Sequence, residues 1–260
     1  MTILDKIIAS KFVEVEQAKA ATRHADLEQK PLFARTCLPL HDAINDRGKN
    51  GIIAEYKRAS PSKGMINDRA TVETVVQGYQ EAGVSAVSVL TDGPFFKGSL
   101  DDLAAARAVL RVPLLRKEFI IDEYQIIEAK AYGADIILLI AAALDAGQVK
   151  ALSESAKSLG LNVLLEVHNR EELDRSVMDS IDAIGVNNRN LKDFTVSLDH
   201  SLELVELIPD KFVKVSESGI SNPDTIRQLR GAGFDGFLIG ENFMKTADPV
   251  KAVNEFVSNI

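Results

Sequence analysis

Residues 51–64 read GIIAEYKRASPSKG: an apolar start, then charges, then a turn rich in Ser, Pro and Gly. A strand buried in a parallel sheet is a nearly continuous apolar run, and Ile52, Ile53 and Ala54 begin one. Glu55 and Lys57 interrupt it. Side chains alternate along a strand, so Ile53, Glu55 and Lys57 share one face while Ile52, Ala54 and Tyr56 share the other. A carboxylate and an ammonium at a strand end also form ordinary structural ion pairs. The segment that follows, Ser60, Pro61, Ser62, Lys63 and Gly64, adds hydroxyls, a cation and a turn, which suits a phosphate-binding or mobile substrate loop.

The same succession recurs down the chain: a short apolar run, a polar loop, and an amphipathic helix that often ends in Gly. The runs are IIAEYK, AVSVL, PLLRKE, DIILLI, NVLLEV, AIGVN, FVKVSES and GFLIG, near residues 53, 87, 115, 137, 164, 185, 214 and 238. VETVVQGYQEAG and LDAGQVKALSESAKSLG are typical of the helices between them. A spacing of roughly 20 to 35 residues accommodates one strand, one helix and two loops. Eight such units predict an α/β fold, a closed (β/α)8 TIM barrel rather than an open doubly wound sheet. Ahead of them, Ile3, Leu4, Ile7, Ile8 and Phe12 fall at helical spacing. They predict a helix over residues 2 to about 20 that packs onto the barrel, followed by a shorter helix across Arg35 to Asp46. The expected organisation is one domain, 1–260, with a helical extension over 1–50 and eight βα units over 51–260.

A chain of 260 residues buries roughly three quarters of its unfolded surface, enough for one barrel. With 30 basic and 38 acidic residues the net charge is −8, which argues against a nucleic-acid surface or a polybasic membrane contact. Cys37 is the only cysteine, so no intramolecular disulfide forms, which fits a reducing compartment. The N-terminus lacks the apolar core and cleavage site of a signal peptide, and no apolar run is long enough to span a bilayer. The expected location is cytoplasmic, and a monomer is the simplest expectation.

In a TIM barrel the active site lies at the carboxyl ends of the strands, so polar residues that end apolar runs are the ones to collect. They are Glu55, Lys57, Lys117, Glu166, Asn187, Arg189 and Glu217. Parity supports the set, because Leu115 with Lys117, Leu164 with Glu166, Gly185 with Asn187 and Val215 with Glu217 each share a strand face. Three glutamates and two lysines converging from separate strands are costly for stability alone. The seventh and eighth loops read Ser216, Glu217, Ser218, Gly219 and Gly240, Glu241, Asn242. Loops after those strands commonly bind phosphate in this fold, although Gly also serves simple turns. No Gly-x-Gly-x-x-Gly follows an early strand, and the four histidines and Cys37 show no zinc spacing, so neither a cofactor nor a metal is expected. His168 shares the parity of Glu166, yet a surface-loop position is expected for it. Phe95 and Phe96 are loop anchors or a wall for a planar substrate.

IAEYKRASPSKG, FFKGSLDDL, LLRKEFIIDEYQI, LLEVH, GVNNRNL and KVSESGI match, in order and spacing, the blocks of a known family. Over nearly its whole length the chain resembles the indole-3-glycerol phosphate synthases. The resemblance implies a small phosphorylated substrate, 1-(2-carboxyphenylamino)-1-deoxyribulose 5-phosphate, which closes to an indole with loss of carbon dioxide and water. It implies Lys117 as general acid, with Glu166, Lys57 and Glu55 sharing the later proton transfers in an order the residues leave open. Asn187 and Glu217 match polar site positions. Arg189, with Lys57, would hold the substrate carboxylate. Ser60, Ser218, Gly219, Gly240 and the Glu241 backbone match the phosphate subsite, and Phe96 the aromatic wall. Neighbouring ammonium groups lower one another's pKa and carboxylates raise it, an arrangement expected to poise both protonation states near neutrality. Some relatives carry Ser where this chain has Glu241, whose carboxylate would repel phosphate, so only its backbone N–H is expected to meet the ligand. A Schiff-base sugar-phosphate aldolase and a non-catalytic phosphate-binding barrel are the alternative readings.

Overall fold

A computed structural model describes residues 2–190 and 194–260; Leu191, the last residue of the GVNNRNL block, lies outside them. The apolar runs form eight barrel strands: β1 (Ile52–Tyr56), β2 (Ala86–Leu90), β3 (Leu114–Lys117), β4 (Ile136–Ile140), β5 (Asn162–Val167), β6 (Ala183–Asn187), β7 (Val213–Glu217) and β8 (Gly236–Ile239). Each pairs in parallel with its neighbour in sequence, and β8 closes on β1 through Ile52↔Phe237 and Ala54↔Ile239. The fold is a TIM barrel preceded by helices.

Period-two alternation divides the apolar residues between two cores. Ile53, Leu115, Leu164, Val215 and Leu238 pack together inside the barrel. Their sequence neighbours Ile52, Ala54, Leu114, Leu165 and Phe237 face outward into the helix layer. The helices begin at conventional caps: Asp122 and Asp145 form capping boxes with Gln125 and Gln148, while Asn222 and Asp248 precede a Pro at the helix start. Gly160 and Gly233, at φ +75° and +110°, let the chain leave its helix by the left-handed route that other residues resist.

Three helices come before β1: α1 (Ile3–Ala21), α2 (His24–Glu28) and α3 (Leu40–Asn45). The helix expected across Arg35 to Asp46 is therefore shorter than its sequence suggested. Pro39 accounts for the difference, since the residue before a proline is driven out of the helical region. Arg35 instead reaches Asp135 at 2.7 Å, and Leu40 and Ile44 of α3 join the interior core. The face that α1 buries also differs from the expected apolar stripe. Ile7, Lys11 and Val15 are buried, whereas Phe12 is 57% exposed. Lys11 lies inward because its ammonium has partners there: Asp92 Oδ2 and Glu118 Oε1, each at 3.0 Å, and Glu14 Oε2 at 2.8 Å. Among the described residues no helix is long and apolar enough to cross a membrane.

Candidate active site

The ends of the strands bring the charged residues to one place. Lys117 Nζ lies 2.9 Å from Glu166 Oε2 and 2.8 Å from Glu217 Oε2, bridging β3, β5 and β7. Asn187, beside Glu217 in the β6–β7 register, donates from Nδ2 to Glu166 Oε1 at 3.0 Å. At the end of β1, Lys57 Nζ meets Glu55 Oε1 at 3.0 Å, and Ser88 of β2 approaches the other Glu55 oxygen at 3.5 Å. Two glycines make room for the carboxylates. A Cβ at Gly240 would stand 2.6 Å from Glu55 Oε1, and one at Gly185 would collide with Glu217 Oε1. Gly185→Ala is therefore expected to push Glu217 off Lys117 and lower turnover on the order of tenfold, because small displacements of reacting groups are costly. Steady-state kinetics check this, with circular dichroism confirming the fold.

Burial works against the Lys117 ammonium, but Glu166, Glu217 and Glu55 together outweigh it and hold the group above the ordinary lysine range. Burial also raises both carboxyls. At Glu166 the charges of Lys117 and His168 and the Asn187 amide prevail, so its pKa falls. At Glu217 burial prevails, reinforced by the Glu166 charge, and the carboxyl is pushed up to about 7. Two carboxylates facing one ammonium titrate as a unit. The opposite directions of the two shifts, down for Glu166 beside two cationic partners and up for the more desolvated Glu217, favour Glu217 as the carboxyl that takes the first proton of the pair.

Around these charges the cavity has two characters. Ile3, Leu4 and Ile7 of α1 with Phe96, Phe119 and Ile140 form an apolar wall. The rings of Phe96 and Phe119 stand 5.9 Å apart at 37°. On the other side a recess is lined by Lys57, Lys63, Arg189, Ser218, Gly219, Gly240, Glu241 and Lys245, and Glu55, Lys57, Arg189, Ser218 and Glu241 border both halves. Ser218 and Gly219 turn this loop in the left-handed region at φ +69° and +77°, a strained conformation for a serine. Ser60 borders the apolar half, where a short ladder pairs Ala59 with Met65 and Ser60 with Gly64. Glu55, Lys57, Ser60, Phe96, Lys117, Glu166, Asn187, Arg189, Glu217, Ser218, Gly219, Gly240 and Glu241 thus line one or both of these adjoining halves, whereas Phe95 lines neither.

Three features differ from, or go beyond, the site expected from the sequence. Against the expectation that only the Glu241 backbone would face the ligand, its carboxylate lines the cavity, drawn there by Arg189 Nη2 at 3.4 Å and Lys63 Nζ at 3.7 Å. Lys63 thereby joins the site, a residue that only its basic character in the loop could have suggested. His168 is not a surface-loop residue: its side chain is 13% exposed, and Nε2 lies 3.5 Å from Glu166 Oε1. Its parity with Glu166 was the available signal. Among the described residues no cluster of three or more His, Cys, Asp or Glu could hold a metal ion.

Acids and bases gathered at the carboxyl ends of a closed parallel barrel place the chain among the TIM-barrel enzymes. Solved structures agree on the fold. One is 3-hexulose-6-phosphate synthase from Salmonella typhimurium, with a TM-score of 0.64 at 13% identity, over 81% of this chain and 98% of that one. Another is a mutant tryptophan synthase alpha-subunit from Pyrococcus furiosus, with a TM-score of 0.62 at 13% identity, over 81% and 98%. Such low identity carries the fold alone. Sequence comparison goes further: the family model for indole-3-glycerol phosphate synthase matches residues 4–256. Curated relatives of that name share 47% identity over 99% of this chain and 98% of the relative in Bacteroides thetaiotaomicron, and 45% over 98% and 94% in Salinibacter ruber. The chain belongs to the indole-3-glycerol phosphate synthase family.

Proposed function

We propose that the chain closes 1-(2-carboxyphenylamino)-1-deoxyribulose 5-phosphate to indole-3-glycerol phosphate, with loss of carbon dioxide and water. The observation that carries this reading is Lys117 held as an ammonium between Glu166 and Glu217 at the floor of a cavity that is apolar on one side and cationic on the other. Ring closure needs an aromatic carbon to attack the ketone while its oxygen becomes a hydroxyl. Lys117 donates that proton, and its charge stabilises the oxyanion as it develops. Carbon dioxide then leaves from the substituted ring carbon. Expulsion of the new hydroxyl as water needs a second acid and a base, roles we give to Glu166, Glu55 and Lys57, with Asn187 and Glu217 setting the charge around them. Phe96 faces the aromatic ring, and Arg189 with Lys57 holds the carboxylate until it leaves. Ser60, Ser218, Gly219, Gly240 and the Glu241 backbone N–H take the phosphate. We read residues 1–260 as one domain, acting as a monomer without nucleic acid, cofactor or metal.

The aldolase reading is weaker on physical grounds. A Schiff base requires a neutral amine, and the two carboxylates beside Lys117 favour its ammonium. Purified protein supplied with the carboxyphenylamino sugar phosphate should generate indole fluorescence, and borohydride should trap no lysine adduct. No fluorescent product, or a reduced adduct, would overturn the assignment.

Glu241 sets a further expectation. Its carboxylate competes with a substrate anion for Arg189 and Lys63. Glu241→Gln should lower KM by about threefold, the scale of a partly exposed ion pair, with kcat within twofold. An unchanged or raised KM in steady-state assays would show that the carboxylate turns away when substrate enters.

A further inference from the structure

His168 lies two residues beyond Glu166, just past the end of β5, and its surroundings define its orientation. Glu172 Oε2 accepts the His168 backbone N–H at 2.8 Å and lies 3.3 Å from Nδ1, while Asn169 donates to Glu172 Oε1 at 2.9 Å. The imidazole is therefore anchored at one nitrogen by a carboxylate that is itself fixed. The other nitrogen, Nε2, is buried without a hydrogen-bond partner and stands 3.5 Å from Glu166 Oε1, the same oxygen that Asn187 bonds. The charged groups that act most strongly on the ring are acidic: Glu166 on the preceding strand, Glu172 on the following helix and Glu217 across on β7. Lys117 lies beyond, on the far oxygen of Glu166.

We propose that His168 is a positioning residue for the acid–base pair: anchored on Glu172, its ring packs against Glu166 Oε1 and orients that carboxylate so that Oε2 meets Lys117. The burial of the ring lowers its pKa, but Glu172, Glu166 and Glu217 more than offset this, so the ring titrates above an ordinary histidine. A carboxylate cornered by Lys117, the His168 ring and the Asn187 amide is a base of fixed orientation. The inference rests on the acid–base reading of the site given above.

A merely structural histidine would change stability without changing how activity depends on pH. His168→Asn and Glu172→Gln separate the two cases. Removing the imidazole removes a group whose protonated form favours ionised carboxylates in the Glu166–Glu217 pair, so the pair should take its first proton at higher pH, and the acid limb of the kcat profile should move up by about one unit. That shift means about a tenfold loss of kcat on the acid side of the limb and little loss above it, with KM nearly unchanged. Glu172→Gln, which never touches Glu166, should move the limb in the same direction by less. Independently, the His168 imidazole followed by NMR in the full chain should titrate lower in Glu166→Gln and in Glu172→Gln than in the parent protein. A uniform loss of kcat with an unmoved limb, or an imidazole indifferent to Glu166→Gln, would overturn the proposal. Failure of the parent protein to form indole would instead sink the reaction assignment, and the NMR titration would then decide the His168–Glu166 pairing alone.

Discussion

Lys117→Ala is expected to lower turnover by at least about 100-fold while the barrel stays folded, the usual scale for losing a general acid. The geometry makes the effect large for two reasons. Among the described residues Lys117 is the only cation within ion-pair distance of both Glu166 and Glu217, so its loss removes the proton donor and leaves two buried carboxylates facing one another. One of them must then take a proton, which also removes a base. The fold tolerates this because a carboxyl can neutralise itself, and because the outer core between strands and helices is untouched. Lys117→Arg tests whether charge alone suffices. Arginine keeps the charge but holds its proton too tightly to donate and brings a wider planar group, so turnover should fall nearly as far while the unfolding midpoint stays close to that of the parent. A loss below threefold in Lys117→Ala would reject the role.

Lys11→Met should produce the largest change in stability, about 3–5 kcal/mol, the cost of stranding buried charge. Lys11 is only 3% exposed, and Asp92 and Glu118 are almost wholly buried beside it. Burial works against the ammonium, but Glu118, Asp92 and Glu14 together hold its pKa well above the usual lysine range. Methionine matches the stem of the side chain and removes the charge, which isolates the electrostatic part. At the usual sensitivity of a chain this long, the melting midpoint should fall by roughly 10 °C. Activity should respond through KM, since the same helix contributes Ile3, Leu4 and Ile7 to the cavity wall while its lysine grips the loops after β2 and β3. Pairing the change with Glu118→Gln should recover part of the loss. A midpoint within 2 °C of the parent would show that α1 is held by apolar contacts alone.

The barrel was legible because its signal is redundant. Each strand carries its own apolar run, each helix its own cap, and eight repeats leave few other ways to close the sheet. The mouth was legible by parity: Lys117, Glu166 and Glu217 stand two residues after Leu115, Leu164 and Val215, all of which face the barrel interior. That rule breaks down where regular backbone stops. His168 lies just beyond β5, so parity could only hint at its approach to Glu166, and Glu172 on the next helix completes its setting. The direction of the Glu241 side chain depends on Arg189 and Lys63, which come from loops remote in sequence. Lys11 reads as the polar neighbour of an apolar stripe until its three carboxylates are seen.

Local order along the chain was enough to determine which residues form strands, which face of each strand is apolar, and which charges stand at the strand ends, because alternation and capping are short-range effects. The tertiary structure decided which of those charges meet. It set Lys117 between two glutamates and rotated α1 so that a lysine is buried alongside Ile7 and Val15. These outcomes depend on Coulomb attraction and desolvation between groups tens of residues apart, and such energies exist only once the barrel has closed.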